Sequence, residues 1–393
     1  MVATRGLVGL RPAEEVIAKV TAPPYDVIKT GSRLESHLKG TRDSIFHVTL
    51  GDDPVGALEG LRAREALIED DEPAYYVYEQ TWSEQLVGTT AVVSQRTGVF
   101  VAAEVSDYDQ KQVIRHEKTF DEKVKGRIAL TQATKHTIGP VFLLTRSPLT
   151  ALFEETKEID PLYSFRSDFG GSGTDLHGIA NKIWRVPEAS PLGERIKHAL
   201  AENPFYIADG HHRYHAALRN EQTHLLAYVT EEARILAYNR VVNGVTKFAS
   251  VRAKLALEPC SSFQTPDKHQ FCLYSADGCW TLDAKEVPDD VVGRLDCAIL
   301  ERELYPHLGL THDQIVDPKH FDYYPENALD AMKEVVDAGE YELAIALHPV
   351  SIDELMAVAD AGLEDPDVVM PEKSTFFSPK ILTGIFLYRH QSR

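Results

Sequence analysis

The chain has 393 residues, 43% of them hydrophobic, enough to bury a substantial core and to form two or three domains. Lys and Arg number 41 against 60 Asp and Glu, a net charge of −19, which argues against general nucleic-acid binding because such a surface must neutralise phosphates. Cys260, Cys272, Cys279 and Cys297 show no CxxC spacing, no charged-then-apolar leader opens the chain, and no apolar run approaches the roughly 20 residues of a bilayer crossing. A zinc ribbon, secretion and a membrane partner are therefore not signalled, and a reducing cytoplasm is the expected home.

In chain order, Gly6 to Pro12 reads as a first strand. Val20 to Ile28 reads as an extended segment, since Pro23 and Pro24 push the residues before them out of the helical region. The two prolines present Tyr25 and Asp26 rigidly, which suits a stiff connector and a substrate-facing loop equally. Gly56 to Ile68 has helical periodicity, with Ala57, Leu58, Leu61 and Ile68 near one face. Ala74 to Trp82, Gly88 to Arg96 and Gly98 to Val105 are β-rich runs divided by turn residues, the pattern of a meander. From Val113 the character changes, and Arg115-His116-Glu117-Lys118-Thr119 leads into a polar, basic helix reaching Lys135 whose cations suit a solvated face. Gly139-Pro140 then precedes a buried strand, Val141 to Leu144. The loop Phe169 to Thr174 has the composition of a phosphate cradle without Walker or GxGxxG spacing, and reads as a hairpin tip.

Leu176 to Val186 is the next strand or strand pair, and Ser190 to Ala201 a helix. Strands follow at Leu225 to Val229 and Leu236 to Val242, where alternation turns one of Asn239 and Arg240 inward. Beyond about Phe248 come a helix, strands around Phe271 to Tyr274, an amphipathic helix from Leu295 to Gly309, a helix from Ala328 to Ala338 and a buried strand from Leu343 to Leu347. The proline-bounded loop Met370 to Lys380 precedes an apolar strand from Ile381 to Tyr388. Strands in groups rather than strict alternation give an α+β class.

The sharpest local signal is Tyr206 to Leu218. Phe205, Tyr206 and Ile207 are apolar and β-favouring, Asp209-Gly210 is turn chemistry, and Tyr214, Ala217 and Leu218 recur at helical spacing. Asp209 thus ends a strand, and His211, His212 and Arg213 open a helix whose first amides lack internal partners and whose dipole adds about 0.3–1 kcal/mol for an adjacent anion. That is a place for a phosphate. Ionisable groups gathered at a buried strand end are costly unless they serve each other or a ligand. His211 and His215, four apart, leave a transition-metal reading open, although His116-Glu117 does not continue into HExxH. No GxSxG elbow or cysteine motif signals nucleophilic catalysis. A His-Glu pair opening a helix is ordinarily a cap, but Glu117 together with Asp209 and cations from both segments is the inventory of phosphoryl transfer.

Several motifs in order, APPYDVI at 22–28, RHEKT at 115–119, GPVFLL at 139–144, IADGHHRYHAAL at 207–218, NRVV at 239–242 and MPEKSTFFSPK at 370–380, identify the chain as resembling the bacterial and archaeal family named domain of unknown function 1015. More distantly, the paired HE and DGHHR motifs are similar to those of archaeal free-serine kinases with a ParB/sulfiredoxin-like fold. That resemblance implies Glu117 as base toward a serine hydroxyl and Asp209 as second base or Mg²⁺ partner, with Gly210, His211, His212, Arg213 and His116 at the nucleotide phosphates. It implies ATP or ADP as donor, Mg²⁺, and L-serine or an analogue as acceptor, with a homodimer one open arrangement. A nucleotide-binding or hydrolysing regulatory module and a metal-dependent phosphatase are the alternatives. Sulfiredoxin-like chemistry would need a cysteine where Asp209-Gly210-His211 stands. Tyr25, Asp26, Arg240, Lys373, Ser374 and Lys380 match the family's own motifs and are expected to complete the pocket. The implied organisation is a β-rich segment over 1–100, a ParB-like catalytic core over 101–247 and an α/β subdomain over 248–393. The interval between the HE and DGHHR motifs is longer than in the kinases, with the Gly170 to Trp184 insertion inside it.

Overall fold

The computed structural model describes residues 3–84, 90–119, 121–171, 176–245, 248–315 and 317–390. Chain contacts divide it into one unit of Met1–Ser83, Val93–Ala233 and Pro379–Arg393, and a second of Glu84–Val92 and Arg234–Ser378. The class is α+β.

The first unit is built on a nine-stranded sheet. Its strands are β1 (Thr4–Arg5), β2 (Ala74–Glu84), β3 (Val92–Glu104), β4 (Val113–Ile114), β5 (Val141–Thr145), β6 (Tyr163–Arg166), β7 (Ala180–Pro187), β8 (Phe205–Asp209) and β9 (His224–Thr230). They lie in the order β4-β8-β5-β9-β3-β2-β7-β6, with β1 pairing onto β3. Three helices matter for the site: α1 (Asp121–Thr134), α2 (Pro191–Leu200) and α3 (His211–Arg219).

Both faces of the sheet are covered, which explains why its strands read as nearly unbroken apolar runs. On one face Tyr75, Val77, Val99, Val101, Val141, Leu143, Phe205, Ile207 and Val229 pack with Phe153, Ile196, Leu200, Tyr214 and Ala217 from the helices. On the other, Tyr78, Phe100, Phe142 and Tyr228 form an aromatic layer with centroids 5.4–5.8 Å apart. Each such side chain withdrawn from water contributes about 1.5–3 kcal/mol. Arg96 is buried in that layer, its guanidinium 4.9 Å from the Phe142 ring centroid, and it donates to the Gln80 side chain and the Pro379 carbonyl.

Some elements differ from the sequence reading. The runs expected at Gly88–Arg96 and Gly98–Val105 are, where described, one strand, β3. Gly98 is not a turn there but a packing residue: a Cβ would stand 2.5 Å from the Tyr228 ring. The helix expected over Gly56 to Ile68 stops at Ala63, and Leu67–Glu69 pairs with Leu10–Pro12 as a short ribbon. Val20 to Ile28 is not wholly extended, since Tyr25–Val27 makes a 3₁₀ turn directly after the prolines, with Pro24, still extended at ψ 147°, as its N-cap. Ile381 to Leu387 is buried but is not a strand. Gly384 turns the backbone at φ +86°, Thr383 and Leu387 form isolated bridges, and only Tyr388–Arg389 pairs, with His136–Thr137. Residues 172–174 of the glycine-rich loop lie outside the described residues.

The second unit holds a six-stranded sheet of β10 (Tyr238–Val242), β11 (Glu258–Pro259), β12 (Gln270–Ser275), β13 (Gly278–Asp283), β14 (Phe321–Pro325) and β15 (Leu343–Leu347), ordered β11-β13-β12-β15-β10-β14. Helix α4 (Leu329–Asp337) lays Leu329, Met332 and Val336 against it. Asn239 and Arg240 are both buried, because β10 is interior to the sheet, paired with β14 and β15. The apolar stretch from Leu295 is two helices, Asp296–Glu303 and Tyr305–Leu308, divided ahead of Pro306, which has no amide to continue the ladder.

Candidate active site

Two sequence-distant motifs meet because β4 runs parallel to β8, pairing Val113 with Phe205 and Ile114 with Tyr206. Arg115, His116 and Glu117 therefore leave β4 alongside the point where Ile207, Ala208 and Asp209 leave β8. A bulge aims the second motif: Ile207 lies opposite Leu143 and Asp209 opposite Phe142, so Ala208 is the extra residue. Such bulges re-aim a side chain at a strand end.

Gly210 makes the turn from strand to helix at φ +98°, a conformation open to glycine at little cost, and it is the N-cap of α3. No side chain caps this helix. Its first internal bond is from the Tyr214 amide to the Gly210 carbonyl, 2.9 Å, so the amides of His211, His212 and Arg213 precede the helical ladder. A Cβ on residue 210 would stand 3.0–3.2 Å from the Arg213 guanidinium. Gly210→Ala is expected to cost about 1–3 kcal/mol in chemical denaturation, from backbone strain alone, and to weaken anion binding as Arg213 is displaced. An alanine variant as stable as the parent would contradict this.

Asp209 sits between two cations. Arg213 Nη2 donates to Oδ2 at 3.0 Å, and Lys380 Nζ is 3.6 Å from Oδ1. Burial pushes the Asp209 carboxyl up, but Lys380, Arg213 and His211 outweigh it and hold the pKa down to about 2. Arg213 is fixed further by donating to the Pro140 carbonyl. Lys380, only 8% exposed at its side chain, is carried by the segment anchored through Gln80 Nε2 to the Lys380 carbonyl, 3.1 Å, and through Arg96 to Pro379.

Glu117, 31% exposed at its side chain, reaches two histidines: Oε2 is 3.6 Å from His211 Nδ1 and Oε1 is 3.8 Å from His116 Nε2. Both histidines are buried and stand edge to face, centroids 4.5 Å apart. Burial drives both pKa values down, that of His116 to about 3, so the pair is neutral at physiological pH. The His116 amide approaches His211 Nε2 at 3.5 Å, which favours the tautomer with the His211 proton on Nδ1, facing Glu117. His211 thus faces Glu117, and Asp209 precedes it by two residues in the chain.

Tyr25 joins from the proline-stiffened segment. The Arg127 guanidinium lies over its ring at 3.9 Å, and burial raises the Tyr25 pKa within the fields of Arg213, Asp26, Arg127 and Asp209. A cleft lined by Pro24, Tyr25, Arg127, Gly139, Arg213 and Thr383 continues from there. Arg127 therefore leaves the solvated helix face that its run of cations suggested. His215 points elsewhere, stacked on Tyr108 at 6.2 Å. Among the described residues, no third His, Cys, Asp or Glu ligand gathers with His211 and His215. The oxygen donors of Glu117 and Asp209 suit magnesium, which is ordinarily held by one or two carboxylates and completed by substrate phosphates and water.

Arg240, Lys373 and Ser374 belong to the second unit. There Arg240 Nε donates to the Tyr305 hydroxyl at 3.0 Å and Nη1 to the Tyr238 carbonyl at 2.5 Å. The Lys373 ammonium lies 5.6 and 5.8 Å from the Tyr238 and Tyr323 ring centroids, and Ser374 donates to the Pro371 carbonyl at 2.5 Å.

The fold and site define an α+β protein with a carboxylate and cation cluster at a strand-to-helix turn. The family model described as protein of unknown function (DUF1015) matches residues 5–298, and the chain belongs to that family. Among solved structures it is similar to a free serine kinase in complex with AMP, at 11% identity over 75% of this chain and 91% of that one, TM-score 0.40. It is also similar to SbnI with C-terminal truncation from Staphylococcus aureus, at 11% identity over 72% and 85%, TM-score 0.39. A conserved hypothetical protein from Pyrococcus furiosus aligns at 13% identity over 72% and 92%, TM-score 0.36. No curated protein matches the sequence. No helix among the described residues is long and apolar enough to cross a membrane.

Proposed function

We propose that this protein is a nucleotide-dependent small-molecule kinase that phosphorylates the hydroxyl of free L-serine, giving O-phospho-L-serine. The observation that carries the reading is Glu117 facing the buried His211, the first residue of α3, whose uncapped amino end follows Asp209 directly through Gly210. Such a site sets a proton acceptor beside a phosphate cradle, each delivered by one of two paired strands. The choice of serine rests on the HE and DGHHR motifs.

In this reading Glu117 takes the proton of the acceptor hydroxyl as the oxygen attacks the terminal phosphorus of ATP or ADP. His211 keeps Glu117 oriented with its Nδ1 proton, and buried His116 keeps His211 in place through the edge-on ring contact. The amides of His211 to Arg213, with Arg213 itself, receive phosphate oxygens, and Lys380 keeps Asp209 ionised. Magnesium held by Asp209 and the phosphates would neutralise charge on the transferred group. Tyr25, which lines the cleft, and its neighbour Asp26 are the candidates for the acceptor amino acid.

Phosphorus NMR of the purified protein with Mg²⁺ and L-serine, ATP and ADP in separate tubes, tests the reading. An O-phosphoserine signal is expected in one tube and names the donor. Nucleotide consumed without phosphoserine would keep the cradle and overturn the acceptor. Neither binding nor turnover would overturn the assignment.

A further inference from the structure

Four cysteines occur in 393 residues, and three of them converge. Cys272 on β12 and Cys279 on β13 share a face of one antiparallel pair: Cys272 lies opposite Thr281, and Cys279 is two residues from Thr281. Cys260 follows β11, where Pro259 lies opposite Trp280, and its amide donates to the Cys279 carbonyl at 3.0 Å. The third thiol is thereby placed on the same face. The Sγ atoms of Cys260 and Cys272 are 3.9 Å apart, those of Cys272 and Cys279 are 3.6 Å apart, and all three lie within 4.8 Å of one another. Among the described residues this is the only gathering of three or more His, Cys, Asp or Glu ligand atoms so close.

We infer that Cys260, Cys272 and Cys279 form a three-sulfur binding site for a thiophilic d¹⁰ metal ion, zinc(II) or copper(I). Three thiolates bound at about 2.3 Å to one ion stand about 3.8–4.0 Å apart, so the separations of 3.9 and 3.6 Å lie close to those of a ligand set, while both exceed the roughly 2.05 Å of a disulfide. The sheet supplies the rigidity such a site needs, because two of the ligands are on paired strands and the third is tied to them through a ladder bond. Access is one-sided: Cys272 is buried, whereas Cys260 and Cys279 are partly exposed, leaving a path for the ion and a position for water or an exogenous ligand. Soft sulfur donors select these ions over magnesium, so the site is chemically distinct from the carboxylate pair of the first unit.

Protonation agrees with this arrangement. Burial and the neighbouring thiols raise the pKa of Cys272 to about 11 and that of Cys279 further, and the Cys260 and Cys272 thiols are directed at the Ser262 carbonyl. Binding converts three S–H groups into three thiolates and releases three protons, and zinc(II) with three thiolates carries a net charge of −1.

The test uses the full chain, reduced and desalted without oxygen, titrated separately with zinc(II), copper(I) and cobalt(II) as a spectroscopic stand-in for zinc. One equivalent per chain is expected, with about three protons released, three thiols protected from alkylation, and a sulfur-to-cobalt charge-transfer band. Cys260→Ser and Cys279→Ser, at partly exposed positions that spare the core, should lose the band and the stoichiometric binding, while Cys297→Ser keeps both. Stronger retention of copper(I) or of zinc(II) under competition identifies the ion. Binding that persists unchanged in the Cys260 and Cys279 variants would overturn the assignment. So would mild oxidation that yields a disulfide within the trio in a protein that takes up none of the three ions.

Discussion

Glu117→Gln is expected to lower turnover about 10²–10⁴-fold, the usual contribution of a positioned general base, while nucleotide affinity stays near that of the parent. The substitution keeps the size and shape of the side chain and removes only its ability to accept a proton. The amide can still meet His211 Nδ1, now 3.6 Å from Oε2, so the local packing has little reason to change. The cations on Asp209 are Arg213 and Lys380. A drop of this size corresponds to about 3–5 kcal/mol of barrier. It should appear in the rate constant at saturating substrate. Initial rates of phosphoserine formation, with nucleotide affinity from calorimetry, separate the two effects. An unchanged rate would remove Glu117 from the chemistry and leave it as the cap that a His-Glu pair ordinarily is.

How far the sequence carries depends on whether the governing contacts are local. The turn at Asp209-Gly210 was legible because strand, turn and helix signals are contiguous, and Gly210 does adopt a backbone conformation suited to glycine. The strands Ala74–Glu84, Val141–Thr145 and His224–Thr230 were legible as apolar runs. What spacing could not carry were meetings set by the sheet. The parallel pairing that brings Glu117 to His211 links residues 92 apart in the chain, and nothing in either motif states that distance. Gln80 and Arg96 went unread as supports of Lys380, since an Arg in a β-rich run ordinarily marks a surface, and only the aromatic layer around it gives a buried guanidinium a favourable place. Arg127 was hidden in a run of cations, most of which are solvated. The three cysteines, 12 and 7 residues apart, have no metal-site spacing along the chain. Their proximity comes from a hairpin and a neighbouring ladder, so it exists only once the strands are in register. The Ile381–Leu387 stretch shows the opposite failure: apolar composition signalled burial correctly, but Gly384 and the isolated bridges give it a non-strand backbone.

Asp209→Asn is expected to abolish turnover and also to destabilise the fold, and the two losses can be told apart. The side chains of Arg213 and Lys380 are 13% and 8% exposed, and neutralising Asp209 takes away a counter-charge that both of these poorly hydrated cations share. Breaking a buried pair in this way costs about 3–5 kcal/mol. The pH dependence follows from the sign of the shift. The Asp209 carboxyl is depressed from its ordinary 3.8 to about 2, so its ionised form contributes stability that is fully present above the unfolded value and is lost as the pH falls through the folded one. Denaturant midpoints for parent and Asn variant should therefore differ most from neutral pH down to about pH 4 and converge below it. Adding Lys380→Met to Asp209→Asn removes one of the stranded cations and should recover part of the stability, because a neutral amide beside an apolar chain needs no counter-charge. It should recover none of the turnover, since the carboxylate that the phosphate site requires is still missing. A single variant as stable as the parent across this pH range would mean that the cations find other partners, and a double variant that regained activity would show that Asp209 acts only by offsetting the charge of Lys380.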